Sequence, residues 1–199
     1  MYCLYDLCGV EIKMNVYDFD KTIYGGDSTI DFYVYCIKKH PKILLCLPSQ
    51  MMAVCRYKMH KINKTIFKEH FFCFLKKLKD PQSDVVNFWN KNENKIKNWY
   101  LKQKKSNDLI ISASPQFLLE EICCRIGIVE LIASQVDIHN GKFYGENCYG
   151  KEKCRRFHEC KGNEKIDKFY SDSLSDMPLA EIADSAFLIK KNKINLWEN

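Results

Sequence analysis

The run Val16-Tyr17-Asp18-Phe19-Asp20-Lys21-Thr22 sets two carboxylates two residues apart, directly after the apolar Met14 and Val16. In an extended strand, residues i and i+2 point to the same side. At a strand's end, Asp18 and Asp20 therefore converge on one point. Two such carboxylates repel unless a cation lies between them, so the pair predicts a divalent metal beside a reactive carboxylate. A calcium loop of the EF-hand type is a poor match, because Ile23 stands where that loop needs glycine. Three further groups complement the pair. Ser112 ends the apolar run Leu109-Ile110-Ile111. A lysine, Lys151 or Lys153, opens a helical stretch. Ser171-Asp172-Ser173-Leu174-Ser175-Asp176 follows another apolar run.

These residues need elements that bring them together. Lys13 to Phe19 reads as a buried strand. A turn follows at Gly25–Ser28, where Asp27 or Ser28 caps a helix from Thr29 to Lys39, and His40-Pro41 ends it. Ile66, Phe67, His70, Phe71, Phe74, Leu75 and Leu78 recur at helical spacing, and residues 85–100 continue the pattern. Beyond Ser106-Asn107 the pattern alternates. A strand at Leu109–Ser112 leads to a helix at Gln116–Arg125 and a strand at Ile128–Val136. A hairpin turn is expected at Asn140-Gly141, then a helix at Lys151–Cys160 and a strand at Ile166–Tyr170. A helix at Met177–Ala183 and a strand at Ala186–Ile189 close the chain. Such alternation predicts an α/β architecture with a mostly parallel sheet flanked by helices. Ligands collect at the carboxyl ends of strands in these sheets. Three of the four groups fall there, and the lysine leans in from a helix.

In this order and context, the four pieces resemble the motifs of the haloacid dehalogenase-like hydrolases, over residues 14–190. The resemblance implies a Rossmann-like core formed by residues 1–23 and 106–199, with an all-α cap inserted at 24–105. It implies Asp18 as nucleophile toward phosphorus and Asp20 as general acid and base. Ser112 would hydrogen-bond a phosphoryl oxygen, and Lys153, preferred to Lys151 by its place in Gly150–Arg155, would offset charge. Mg2+ would be held by Asp18, the Asp20 carbonyl and Asp172, with Asp176 supporting the shell. The candidate substrate contacts are Thr22, Asp27, Ser112 and Arg56, with Thr22 also bracing the loop.

The helical insert is similar to the cap of the subfamily that contains phosphoserine phosphatase. In those enzymes an acidic residue at the spacing of Asp27 meets the substrate amine, and a cap arginine meets its carboxylate. Here the corresponding helix, Phe67 to Leu78, has no arginine, and Arg56 is the only one in the insert. The wording Tyr17–Thr22, Ser112–Pro115 and Tyr170–Ser173 resembles the branch containing phosphatidylglycerophosphatase C, which acts on a phospholipid head group. The expected function is thus a Mg2+-dependent phosphomonoesterase working through an aspartyl-phosphate. Its substrate would be a small phosphorylated metabolite, phosphoserine among them, or a phospholipid head group. Transfer of the phosphoryl group to another hydroxyl remains an open variant. A binding module gripping nucleic acid or another anion through the basic insert is the contrasting reading, but such a module has no need for the complete motif set.

Charge is unevenly distributed. The chain carries net +6 overall, yet Lys38–Lys105 holds 17 Lys and Arg against 4 Asp and Glu, and the remainder is net acidic. A basic, aromatic-rich insert suits an anionic, partly apolar substrate, and peripheral contact with a membrane surface. The apolar run Ile43–Val54, interrupted by Pro48-Ser49-Gln50, is too short to cross a bilayer. It reads either as a helix packed inside the insert or as a surface that touches lipid. Eleven cysteines, an odd number, beside an acidic N-terminus without a signal-like pattern point to reduced thiols and a cytoplasmic location. Cys148, Cys154, His158 and Cys160 lack the C-x-x-C pairing of a zinc site. Met14 directly precedes the first strand, so Met1–Lys13 is expected to be a dispensable extension.

Overall fold

A computed structural model describes residues 13–197; apart from Lys13, the expected N-terminal extension lies outside the described residues. The chain opens with β1 (Met14–Tyr17). Five helices follow: α1 (Ser28–Lys39), α2 (Leu47–Lys58), α3 (Lys64–Phe71), α4 (Pro81–Asn92) and α5 (Asn98–Gln103), joined in places by 3-10 turns such as Pro41–Cys46 and Phe72–Lys77. The remainder alternates: β2 (Leu109–Pro115), α6 (Gln116–Arg125), β3 (Glu130–Ser134), α7 (Lys151–Lys161), β4 (Ile166–Ser171), α8 (Met177–Ala180), β5 (Ala183–Lys190) and β6 (Lys193–Leu196). The strands form one sheet in the order β3-β2-β1-β4-β5-β6. All neighbours run parallel except the edge strand β6. The sequence expectation of a mostly parallel α/β sheet is met.

Strand β1 is buried at all four positions, as a parallel strand covered on both faces must be. Met14 and Val16 pack with Leu109, Ile111, Phe157, Phe169 and Leu179 on one face, under α7 and α8. Tyr17 joins the opposite cluster with Ile110, Leu118, Ile122, Phe88 and Trp89, under α4 and α6. The helices inserted between β1 and β2 share that second core: Phe32, Phe74 and Phe88 belong to it, and Trp89 Nε1 donates to the Leu118 carbonyl at 2.7 Å.

Several boundaries differ from expectation. The amphipathic stretch 66–78 splits into α3 and the 3-10 turn Phe72–Lys77, which drives Phe72, Phe74 and Leu75 into the core. The helix expected to reach Ala183 stops at Ala180, and β5 begins at Ala183 rather than Ala186. Strand β6 carries no continuous apolar run in sequence. It forms by pairing with the exposed edge of β5, from Phe187↔Leu196 to Lys190↔Lys193. The Asn140-Gly141 turn closes an antiparallel bridge between Val136 and Phe143, with Gly141 at φ +76. Every cysteine among the described residues is free. Among the described residues no helix is long and apolar enough to cross a membrane.

Candidate active site

Topology brings the motif residues together. Because β1 lies between β2 and β4, the segments leaving their carboxyl ends meet at one edge. The Asp18 amide extends the β1–β4 pairing by donating to the Tyr170 carbonyl at 2.8 Å, which anchors Asp18 at that edge. Beyond it the chain folds tightly: Ile23 and Tyr24 both donate to the Phe19 carbonyl, and Lys21 adopts φ +59. A lysine in that left-handed region costs about 1–2 kcal/mol, and the Lys21 amide bond to Gly26 and the Lys97 bond to the Lys21 carbonyl hold it there. The turn returns Thr22, whose hydroxyl donates to Asp18 Oδ2 at 3.3 Å.

Lys153 is 2% exposed, in the first turn of α7. Its ammonium donates to Asp18 Oδ1 at 2.5 Å and to Asp176 Oδ2 at 2.7 Å. Asp176 Oδ2 also accepts from the Ser171 hydroxyl at 2.8 Å, while its Oδ1 is buried without a partner. Lys151 is exposed and does not line the carboxylate cavity. Asp20 is held at both oxygens: Oδ1 accepts from the Ser28 amide at 2.6 Å and Oδ2 from the Ser114 hydroxyl at 2.5 Å. The Ser112 hydroxyl oxygen accepts from the Ser114 amide at 3.1 Å, which leaves its proton available to the cavity it lines.

Burial governs the electrostatics. It pushes the Asp18 carboxyl up to about 7 against the pull of Lys153, and nearby Asp176 and Asp20 add to the rise. Burial likewise raises Asp20, with Asp27 contributing, and raises Asp172 against Lys21 and Lys153. For Lys153 burial opposes the charge, but Asp18 and Asp176 outweigh it and hold the ammonium above its ordinary range.

These groups line a cavity of about 570 Å3. Asp18, Asp20, Ser112, Lys153, Asp172 and Asp176 form its polar floor, and Asp27 lies on its wall while capping α1 through the Ile30 amide at 3.1 Å. Asp27, not Ser28, is therefore the helix cap. Thr22, expected also at a substrate, is fully buried behind Asp18 and does not line the cavity, so its hydroxyl braces Asp18 instead. Arg56, expected at the substrate, is exposed in the last turn of α2 and lies outside the lining. The inward side of that helix carries Gln50 and Ala53 instead.

Besides Lys153 and Lys21, the cations that line the cavity are Lys64 and Lys68, both on α3. Lys68 donates to the Ala113 carbonyl at 2.7 Å and Asn147 Oδ1 at 2.8 Å, and burial next to Lys64 lowers it to about 8. Phe67, Phe71, Phe72, Val54 and Ile30 complete an apolar wall. In sequence Lys64 and Lys68 are two of many lysines, and no local signal singles them out. A larger recess of about 880 Å3, lined by Tyr35, Lys38, Lys39, Lys91 and Lys95, holds none of the motif carboxylates.

The donor set suits Mg2+, which keeps several waters and takes one or two carboxylates beside a substrate phosphate. The unpartnered Asp176 Oδ1 and the adjoining Asp18 and Asp172 carboxylates gather oxygen donors of that kind at one place. Among the described residues no group of three or more Asp, Glu, His or Cys side chains is gathered so as to hold a metal ion.

Comparison with known proteins locates this architecture. A probable phosphatase of Mycobacterium tuberculosis is 26% identical over 92 residues, 43% of this chain, and the match spans only about a third, 32%, of that relative. The fold is shared with a protein of unknown function from Bordetella pertussis Tohama I (TM-score 0.69, 16% identity, 85% of this chain and 86% of that one). It is also shared with a phosphoserine phosphohydrolase-like protein from Francisella tularensis (TM-score 0.52, 17% identity, 88% and 86%). A family model matches residues 16–181, from the strand that presents Asp18 to the helix after Asp176, and by that match the chain belongs to the haloacid dehalogenase-like hydrolases.

Proposed function

We propose that the protein is a Mg2+-dependent phosphomonoester hydrolase that carries the phosphoryl group on Asp18. The observation behind this reading is the seating of Asp18, pinned by Lys153 and Thr22 on the floor of a cavity that also presents Asp20, Ser112 and Asp172. An Asp18 oxygen attacks phosphorus and the phosphorus–ester oxygen bond breaks. Asp20, whose raised affinity for protons suits it to the task, protonates the leaving oxygen. A water then attacks the aspartyl-phosphate, gives its proton to Asp20, and the phosphorus–Asp18 bond breaks to release phosphate. Ser112 donates to a phosphoryl oxygen, and Lys153 keeps Asp18 oriented and its charge offset. Asp18, the Asp20 carbonyl and Asp172 would hold Mg2+, which when bound neutralises the charge shared by carboxylate and phosphate.

In this reading residues 24–105 act as the cap that selects the substrate. Lys64 and Lys68 face the phosphate, and the wall of Phe67, Phe71, Val54 and Ile30 receives the rest of a small phosphorylated molecule. That apolar wall favours, as a second reading, a phospholipid head-group phosphate over phosphoserine, whose carboxylate has no arginine in the lining to meet it. Asp18→Asn tests the mechanism. It should abolish Mg2+-dependent phosphate release from an aryl phosphate while leaving the melting temperature close to that of the parent. Undiminished release would remove Asp18 as nucleophile.

A further inference from the structure

Helix α2 is built inside out, and the 3-10 turn before it, which buries Ile43 and Cys46, leaves its two leucines outside. Leu45 is 74%, Met51 67% and Met52 64% exposed, and Leu44, Leu47 and Met59 are exposed with them. The side turned to the protein carries Gln50, whose amide bridges the Tyr33 hydroxyl at 2.7 Å and the Phe71 carbonyl at 2.9 Å, together with the small Ala53. A helix in water normally turns its apolar residues inward, and contiguous exposed apolar side chains mark an interaction surface.

We propose that this face docks on an anionic lipid bilayer. Charge selects the partner. Exposed Lys42, Arg56, Lys58 and Lys61 bracket the apolar residues, and no Asp or Glu occurs between residues 32 and 68. A second copy of the chain would oppose this basic face to itself, because a two-fold interface pairs the same patch with itself. A negatively charged lipid surface complements the cations while acyl chains receive the leucines and methionines. The helix also borders the cavity: Val54, exposed on α2, lines the carboxylate site, as does the exposed Ile30 of α1. Docking therefore sets the cavity mouth at the lipid surface. The docking itself does not depend on the catalytic reading; only the corollary that the substrate is lipid-borne rests on it.

The test is sedimentation of the full chain with vesicles of phosphatidylcholine alone or of phosphatidylcholine with phosphatidylglycerol. The parent should pellet with the anionic vesicles, at least tenfold more than with neutral ones, and salt should release it. Leu45→Glu combined with Met51→Glu should lower the partition at least tenfold while leaving aryl phosphate hydrolysis and the melting temperature unchanged, since neither residue touches the cavity. Equal binding to both vesicles, no binding, or undiminished binding by the double variant would overturn the proposal. So would a parent dimer that the double variant converts to monomer without any vesicle binding. Loss of aryl phosphatase activity in Asp18→Asn is a separate readout, so failure of docking and failure of the catalytic reading are distinguishable.

Discussion

Lys153→Met should destabilise the chain severely in Mg2+-free buffer, and acid should repair much of the damage. The lysine is 2% exposed and bonds Asp18 and Asp176 at 2.5 and 2.7 Å. Methionine retains the length and apolar stem but removes the only cation bonded to either carboxylate among the described residues. Two buried carboxylates then stand close together without compensation. Removing one member of a buried ion pair costs about 3–5 kcal/mol, which for a chain of this size lowers the melting temperature by roughly 6–20 °C. The pH dependence follows from linkage. Unfolded aspartates release protons near pH ~4, whereas Asp18 in the fold already holds its proton up to about 7, and removal of Lys153 raises it further. Between these values the folded variant binds more protons than the unfolded one, so its stability rises as pH falls. Thermal and urea unfolding of parent and variant at neutral and mildly acidic pH, with chelator present, measure the gap. A variant within about 0.5 kcal/mol of the parent, the usual range of a neutral surface change, would refute the argument. So would a deficit that stays constant as pH falls.

Three further outcomes follow from the same geometry. Adding Mg2+ should raise the melting temperature, by about 2.7 kcal/mol of stability at a hundredfold excess over its dissociation constant, and Asp172→Asn should erase most of that gain in differential scanning calorimetry. Lys68→Met should raise KM for an aryl phosphate about tenfold near neutral pH, roughly 1.4 kcal/mol of binding. The parent's KM should rise as pH passes about 8, where Lys68 loses its proton, and this rise should flatten in the variant. Gly141→Ala should cost about 2–5 kcal/mol in urea unfolding, because the residue sits at φ +76 and an added Cβ would lie 2.5 Å from the Phe72 carbonyl oxygen.

Much of this protein was legible in local sequence. Asp18 and Asp20 follow the short, largely apolar stretch Met14–Tyr17, which reads as a buried strand, and the stretches before Ser112 and Asp172 read as strands too. In a parallel alternating fold their carboxyl ends share an edge, so the strand-end part of the cavity floor, Asp18, Asp20, Ser112 and Asp172, could be grouped from the alternation of elements. The acidic pair by itself called for a metal cation, whereas the lysine came from the family resemblance, which preferred Lys153 to Lys151, and the helix turns Lys153 inward.

What sequence could not decide is which side of each inserted helix faces the site. Arg56 was the natural candidate because it is the insert's only arginine, but α2 packs by Gln50 and Ala53 and turns Arg56 to solvent. Lys64 and Lys68 take its place through the seating of α3 over Ala113 and Asn147, residues distant in the chain. Strand β6 and the partnerless Asp176 Oδ1 are likewise products of long-range packing. Residue type and spacing report local periodicity and chemistry. The orientation of a helix is set by which residues elsewhere in the chain fill the space beneath it, and that is determined only when the whole core closes.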